Sequence, residues 1–371
     1  MKIPLSVPCL GEVEKQAVLE VLDSGMLARG KQVEAFEEEF AHYLGRKEAV
    51  ATNSGTSALF VALKALGVQE GDKVITTPFT FVATASSILH CGALPVFCDV
   101  DERTCNIDPE KLEATLKKEK GVKGVIIVHL YGVPCAMDDI LTLKEKYRFF
   151  LLEDCAQAHG ASYKGKKVGS FGEMGAFSFY PTKNMTTGEG GMVVTNDRVL
   201  AEKCHMLISH GSKRRYYHEI LGYNFRMTDI AAAIGRVQLK KLDQLNERRR
   251  KHADFYNRVL SPLEDFLVTP WVPQEAVAVF HQYTLKILRY RDELLAFLRE
   301  QGIACEIYYP VPLHKQPFLQ GMMDEVSLPV AECLANRVLS IPVHPLLRED
   351  ERQTVVDSIR KFFDEESLRC R

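Results

Sequence analysis

The 371-residue sequence has no run of 18 apolar residues, no Cys-x-x-Cys pair, no internal repeat and no low-complexity segment. Without a long apolar run, no segment reads as a bilayer-crossing helix. The stretch MKIPLSVPCLGEVEK lacks the continuous apolar core of a signal peptide, so the protein is expected to be cytoplasmic and unanchored. Its ten cysteines are scattered, which argues against a zinc site and a disulfide framework and for a reducing compartment. No metal is expected. A net charge of −2 leaves no excess of positive charge for nucleic acid. Two basic runs, Lys213-Arg214-Arg215 and Arg248-Arg249-Arg250-Lys251, read as solvated faces. The alternative is that one of them helps to hold a nucleotide diphosphate.

What is present is an ordinary globular composition, 46% hydrophobic and 26% charged, in a chain long enough for one large domain and a smaller one. Helical periodicity over 13–24 and 33–44 ends at Gly25 and Gly45, both placed to cap a helix. Strand-like runs at 73–77, 96–100, 125–129 and 149–152 alternate with helical patterns at 108–118 and 137–147. That alternation predicts an α/β fold with a mostly parallel sheet covered by helices. A helical apolar stripe over 228–245 follows. The composition breaks near Ser261-Pro262. Beyond it the pattern predicts strands at 281–287 and 303–308, a helix at 292–301 and a last helix from about Glu349, a small α+β unit. The expected division is a large domain over 1–260 and a small one over 261–371, with the N-terminal helix a candidate to pack on the latter.

Two residues carry the chemistry. Lys183 lies between the apolar runs 175–179 and 192–194, hemmed by Pro181, Gly188, Gly190 and Gly191. A lysine held at a buried turn loses part of its preference for the ammonium form and becomes a usable nucleophile, able to form a Schiff base with pyridoxal 5'-phosphate (PLP). Alone, the segment reads equally well as a surface hairpin with an ordinary lysine. Thirty residues upstream, the run 149–152 ends in Glu153-Asp154. An acid at the carboxyl end of a buried strand sits where open α/β sheets place ligand-contacting groups. Asp154 could keep a pyridine nitrogen protonated, making the ring an electron sink, although such an acid is more often a helix cap. Together the two residues describe a site. Asn53-Ser54-Gly55-Thr56-Ser57 ahead of a helix adds free amides and a positive dipole end, suited to an anion. Phe81, just after the strand at 73–77, could lie flat on a ring. His129 reads as a satisfied structural histidine and Cys155 as packing.

The motifs NSGTSAL (53–59), PFTFVAT (78–84), EDCAQAHGA (153–161), FSFYPTKN (177–184) and GYNFRMTDIAAAIGRVQL (222–239) occur in that order. The chain resembles the DegT/StrS-type PLP-dependent sugar-nucleotide aminotransferases, a branch of the fold-type I PLP-transferases, over nearly its whole length. The resemblance implies that Lys183 carries PLP, with Asp154 at the pyridine nitrogen and Gln157 at the phenolic oxygen. It implies Gly55, Thr56 and Ser178 at the phosphate and Phe81 on the ring. Asn224 matches a residue that reaches the phosphate in the partner subunit, so a homodimer with shared active sites is expected. Tyr309 and His314 match segments facing the substrate.

The implied activity is amino transfer from L-glutamate to a UDP-, dTDP- or GDP-linked keto-deoxy-hexose, for amino-sugar and polysaccharide biosynthesis. Residues 177–181 and 156–161 look like members that aminate C3. TTGEGG (186–191) looks like members that aminate C4, and C4 is taken here. A sugar dehydratase of the same family would carry histidine in place of Lys183. A regulatory or binding protein that kept the fold without the chemistry is the alternative from another class.

Overall fold

Parallel strands buried on both faces need near-continuous apolar runs, and the chain supplies them in series. The computed structural model, which describes residues 2–322 and 325–369, assembles seven of them into one sheet. These are β1 (Glu48–Thr52), β2 (Lys73–Thr76), β3 (Leu94–Phe97), β4 (Val122–Val128), β5 (Phe150–Asp154), β6 (Met174–Ser178) and β7 (Gly191–Thr195). Their spatial order is β1-β7-β6-β5-β4-β2-β3. From β6 to β3 every pairing is parallel, and only β7 runs against its neighbours. The expected mostly parallel mixed sheet is found.

The covering helices are α1 (Glu12–Ser24), α2 (Lys31–Leu44), α3 (Gly55–Ala65), α4 (Ala83–His90), α5 (Pro109–Lys118), α6 (Met137–Tyr147), α7 (Arg198–Ile208) and α8 (Asp229–Leu260). Successive strand residues face opposite sides, so each strand feeds two cores. Ile126 and Leu152 pack with Leu59 and Leu63 of α3 and Leu207 of α7. Val125, Ile127 and Leu151 pack with Leu112 of α5 and Ile140 of α6. Each such side chain, fully buried, contributes roughly 1.5–3 kcal/mol relative to exposure.

Helix α8 has 32 residues and is roughly 48 Å long at 1.5 Å per residue. It serves two cores. Ala232, Leu239 and Leu242 pack with Phe36 and Phe40 of α2 and with Phe177 of β6. Ala253, Tyr256 and Leu260 instead pack against a second, antiparallel sheet, β8 (Leu267–Val268), β9 (Tyr283–Ile287) and β10 (Val338–Ile341). Around it lie α9 (Arg291–Glu300), α10 (Pro329–Ala335) and α11 (Glu349–Arg369). Helix α1 packs on α8, and before it Ile3 pairs with Ile303 beside the second sheet.

Four expectations change. The stretch 303–308 is not a strand: it makes isolated bridges at Ile303 and Glu306, and the third strand is Val338–Ile341. The strand expected at 96–100 lies at Leu94–Phe97, because Asp99 turns its carboxylate to the amides of Val330 and Ala331 at the start of α10. The helix over 228–245 continues to Leu260. Arg249 is not on a solvated face; it is 3% exposed and donates to the carbonyls of Phe280 and His281.

The start of α8 also fixes the loop 25–30. Buried Asp229 accepts the amides of Gly30 (2.8 Å), Gln32 (3.2 Å) and Val33 (3.1 Å), capping α2 from a distant part of the chain. Replacing a capping carboxylate costs about 2 kcal/mol. Asp229→Ala is therefore expected to lower the urea midpoint of unfolding, with amide exchange accelerated at 30–33. Unchanged exchange there would show that the carboxylate does not hold the loop.

Candidate active site

Open α/β sheets bind ligands at the carboxyl ends of their strands. Here β2, β4, β5 and β6 end around a pocket of about 670 Å³. Strand β5 brings two carboxylates to this edge, and the pleat sends them to opposite sides. Glu153 does not line the pocket. Its Oε1 accepts the amides of Phe171 (2.6 Å) and Gly172 (2.7 Å), and its Oε2 accepts that of Gly169 (2.7 Å). Arg46 donates to the carbonyls of the same loop, Gly169 (3.0 Å) and Gly172 (2.6 Å). Burial would raise the Glu153 pKa, but His129 and these amides outweigh it and hold the carboxyl below its ordinary value.

Asp154 faces the pocket. It accepts Thr84 Oγ1 at Oδ2 (2.8 Å) and the Ala156 amide at Oδ1 (3.1 Å). With fewer donors around it, burial prevails and its pKa is raised.

His129, Glu153 and Cys155 bring ligand atoms within 4.8 Å of one another, and within this group His129 and Glu153 bond each other. The Cys135 amide donates to His129 Nδ1 (3.1 Å), so Nε2 carries the proton toward Glu153 Oε2 at 3.2 Å. Burial pushes the Cys155 thiol well above its ordinary pKa. His129 is structural and Cys155 packs, as their sequence contexts suggested.

Strands β6 and β7 pair antiparallel, and the wide turn between them holds Lys183. Lys183 is half-buried and lines the pocket. Desolvation nevertheless lowers its pKa from the ordinary lysine value to about 8, with the Asp154 carboxylate pulling the other way. Nearby His159, fully buried among Phe177 and Phe179, is pushed down to about 3 by burial and by the Lys183 charge.

The amino end of α3 opens on the same pocket, with Gly55 and exposed Thr56. A side chain at 55 would bring its Cβ to 2.6 Å from Ser178 Cβ, so only glycine lets the helix end approach β6. Phe81 stands at the wall with 56% of its surface exposed. Gln157 accepts the Tyr131 amide at Oε1 (2.7 Å), which turns its Nε2 to Tyr309 Oη at 2.9 Å.

Gly55, Thr56, Phe81, Asp154, Gln157, Ser178, Lys183 and Tyr309 thus meet in one pocket. Two candidates do not. Asn224 is exposed and lies outside this chain's pocket, bridging to Ser209. His314, expected as a substrate contact, is also outside: its Nε2 meets Glu332 Oε1 at 2.9 Å and its ring packs near Phe97, against a separate cavity of about 410 Å³. Tyr308, in the segment Tyr308-Tyr309-Pro310 expected to face the substrate, lines the pocket too, while Thr84, Tyr180, His281 and Gln282 line it and were not anticipated. Thr84 lies four residues after Thr80 in PFTFVAT, and the two hydroxyls meet at 3.2 Å where the chain enters α4.

A desolvated amine, a buried carboxylate and a helix end with hydroxyls around one chamber fit the aldehyde, the pyridine nitrogen and the phosphate of PLP. Fold and site define a fold-type I PLP-dependent transferase. The chain belongs to the DegT/DnrJ/EryC1/StrS aminotransferase family, which it matches over residues 8–360. It is 46% identical, over 93% of this chain and 92% of the relative, to a "Pleiotropic regulatory protein" of Geobacillus stearothermophilus. It is 42% identical, over 92% of this chain and 91% of the relative, to a UDP-N-acetyl-3-dehydro-alpha-D-glucosamine 3-aminotransferase of Acidithiobacillus ferrooxidans. Among solved structures, S. venezuelae DesV superposes with a TM-score of 0.91 at 38% identity, covering 97% of this chain and 99% of that one. The protein is accordingly a PLP-dependent aminotransferase in a family of sugar aminotransferases.

Two outcomes follow from this geometry. Thr84→Val keeps the shape and removes one hydrogen bond to a buried carboxylate, so PLP affinity, read by absorbance titration, is expected to fall about tenfold; unchanged affinity would free Thr84 of that role. Capture of PLP needs the neutral amine. With the Lys183 pKa near 8, the capture rate should climb about tenfold per pH unit below pH 8 and level off above it. A rate still climbing at pH 10 would mean an ordinary solvated lysine.

Proposed function

We propose that the protein transfers the amino group of L-glutamate to the ketone of a nucleotide-linked keto-deoxy-hexose. The observation that carries this reading is the pairing of Lys183, at a depressed pKa, with buried Asp154 in one pocket. Lys183 holds the cofactor. Once released, its amine would take the proton from the donor's α-carbon as general base and give it back as general acid. Asp154 keeps the pyridine nitrogen protonated, oriented by Thr84 and the Ala156 amide. Gln157 would face the phenolic oxygen, Phe81 would cover the ring, and Gly55, Thr56 and Ser178 would hold the phosphate. Bound PLP supplies the electron sink for the charge released at the donor carbon. The same groups, run in reverse, deliver nitrogen to the sugar.

Exposed Asn224 supports a homodimer in which each chain completes the partner's phosphate site, and Tyr309, beside Gln157, is the residue proposed to meet the substrate. The described residues contain no helix long and apolar enough to cross a membrane, in keeping with the cytoplasmic reading. For ring position, TTGEGG supports C4, while the likeness to a UDP-sugar 3-aminotransferase supports C3 and the UDP nucleotide. We take C3 as the first substrate to test. A second reading, a regulator without transaminase chemistry, draws on the name of the 46% identical relative. The complete Lys183–Asp154 pair weighs against it, and Lys183 itself against a dehydratase.

Purified holoprotein should be yellow, bleach on addition of L-glutamate, and regain colour with a UDP-linked 3-keto sugar faster than with a 4-keto isomer. Lys183→Ala should show neither change. A protein that stays colourless with added PLP would leave the regulatory reading standing.

A further inference from the structure

A chain of side-chain amides behind Lys183 plays no part in the roles assigned so far. Asn246, on α8, donates from Nδ2 to the His159 carbonyl at 2.8 Å. A carbonyl only accepts, so the other end of that side chain is its oxygen. That oxygen accepts Asn184 Nδ2 at 2.8 Å, and Asn184 Nδ2 also donates to the Val279 carbonyl at 3.1 Å. Two acceptors on one side settle the orientation of Asn184, whose Oδ1 then faces His281 Nδ1 at 3.3 Å. An amide oxygen carries no hydrogen, so the ring proton sits on Nδ1 and the Nε2 of the neutral ring is a bare acceptor.

His281 lines the pocket together with Lys183, and its Nε2 has no hydrogen-bond partner among the described residues. Arg249 holds the backbone beneath it, donating to the carbonyls of Phe280 and His281, both at 3.2 Å. Burial first, then the charges of Lys183 and Arg249, push the His281 pKa well below its ordinary value. Asn184 directly follows Lys183, so the ring is tied to the turn that carries the lysine.

We infer that His281 is a positioning residue for Lys183: the two line one pocket without being bonded in this structure, and when the lysine amine is freed, Nε2 accepts a hydrogen bond from it and aims it at the reacting carbon. The inference rests on the role proposed above for Lys183. The tautomer follows from the hydrogen bonds alone.

Nitrogen-15 NMR of histidine-labelled protein, assigned by the resonance lost in His281→Gln, is expected to show a protonated Nδ1 and a bare Nε2. His281→Leu removes the acceptor, whereas His281→Gln places an amide oxygen near the position of Nε2. In the leucine variant, PLP capture by Lys183 should slow about tenfold, and kcat should fall by a similar factor with KM for L-glutamate within about twofold. The glutamine variant should recover most of both. An Nε2-protonated ring overturns the inference, as do equal losses in the two variants. A higher KM at unchanged kcat also overturns it, since the ring would then touch the substrate instead of the lysine. Should the wild type be inert toward amino donors, the functional reading fails, while the tautomer and the capture rates still decide the role of His281.

Discussion

At the end of β5 two successive carboxylates are buried on opposite faces of one strand, and much of the site depends on how each is satisfied. Glu153 is surrounded by amides, His129 and the nearby Arg46, so it stays ionised and fixes the loop at 169–172. Asp154 receives two donors and stands open to the pocket, so its charge is costly until a cation arrives. A protonated pyridine ring is such a cation. One strand thereby supplies both a rigid support and an unsatisfied charge, and period-2 alternation alone separates the two uses.

Helix α8 ties this edge to the rest of the chain. Its first residue clamps the loop at 25–30 and α2, its middle packs on Phe36 and Phe40, and its last turns enter the second core. Between those cores it carries Asn246 and Arg249 under the lysine turn. Buried polar groups at a junction of this kind are tolerated only when nearly every donor and acceptor is matched. The chain of orientation from the His159 carbonyl to His281 Nδ1 meets that demand, whereas Arg249 Nε and the His159 ring nitrogens find no partner among the described residues. Fixed hydrogen-bond directions of this sort place a lone pair more exactingly than apolar packing could.

The βα alternation was legible because strands covered on both faces must be continuously apolar, and the caps at Gly25 and Gly45 because their left-handed backbone suits glycine. The Lys183–Asp154 pair was legible because turn and strand-end chemistry confines the residue types found there. Less legible were segments whose conformation is set by distant partners. Residues 303–308 look like a strand, yet they pair only at single positions with Ile3 and Ser340. Arg249 sits in a basic run that reads as solvated, and the face it occupies is known only once α8 is packed.

The sequence by itself determined the fold class, the family and the lysine and acid proposed to serve the cofactor, since these rest on local pattern and on residue types in order. Tertiary structure decided which groups surround them. Thr84 reaches Asp154 across 70 positions and His281 reaches Asn184 across 97, while His314 is diverted to Glu332. Such pairings are contacts between surfaces that exist only after the sheet has formed and α8 has bridged the two cores, so no local pattern encodes them.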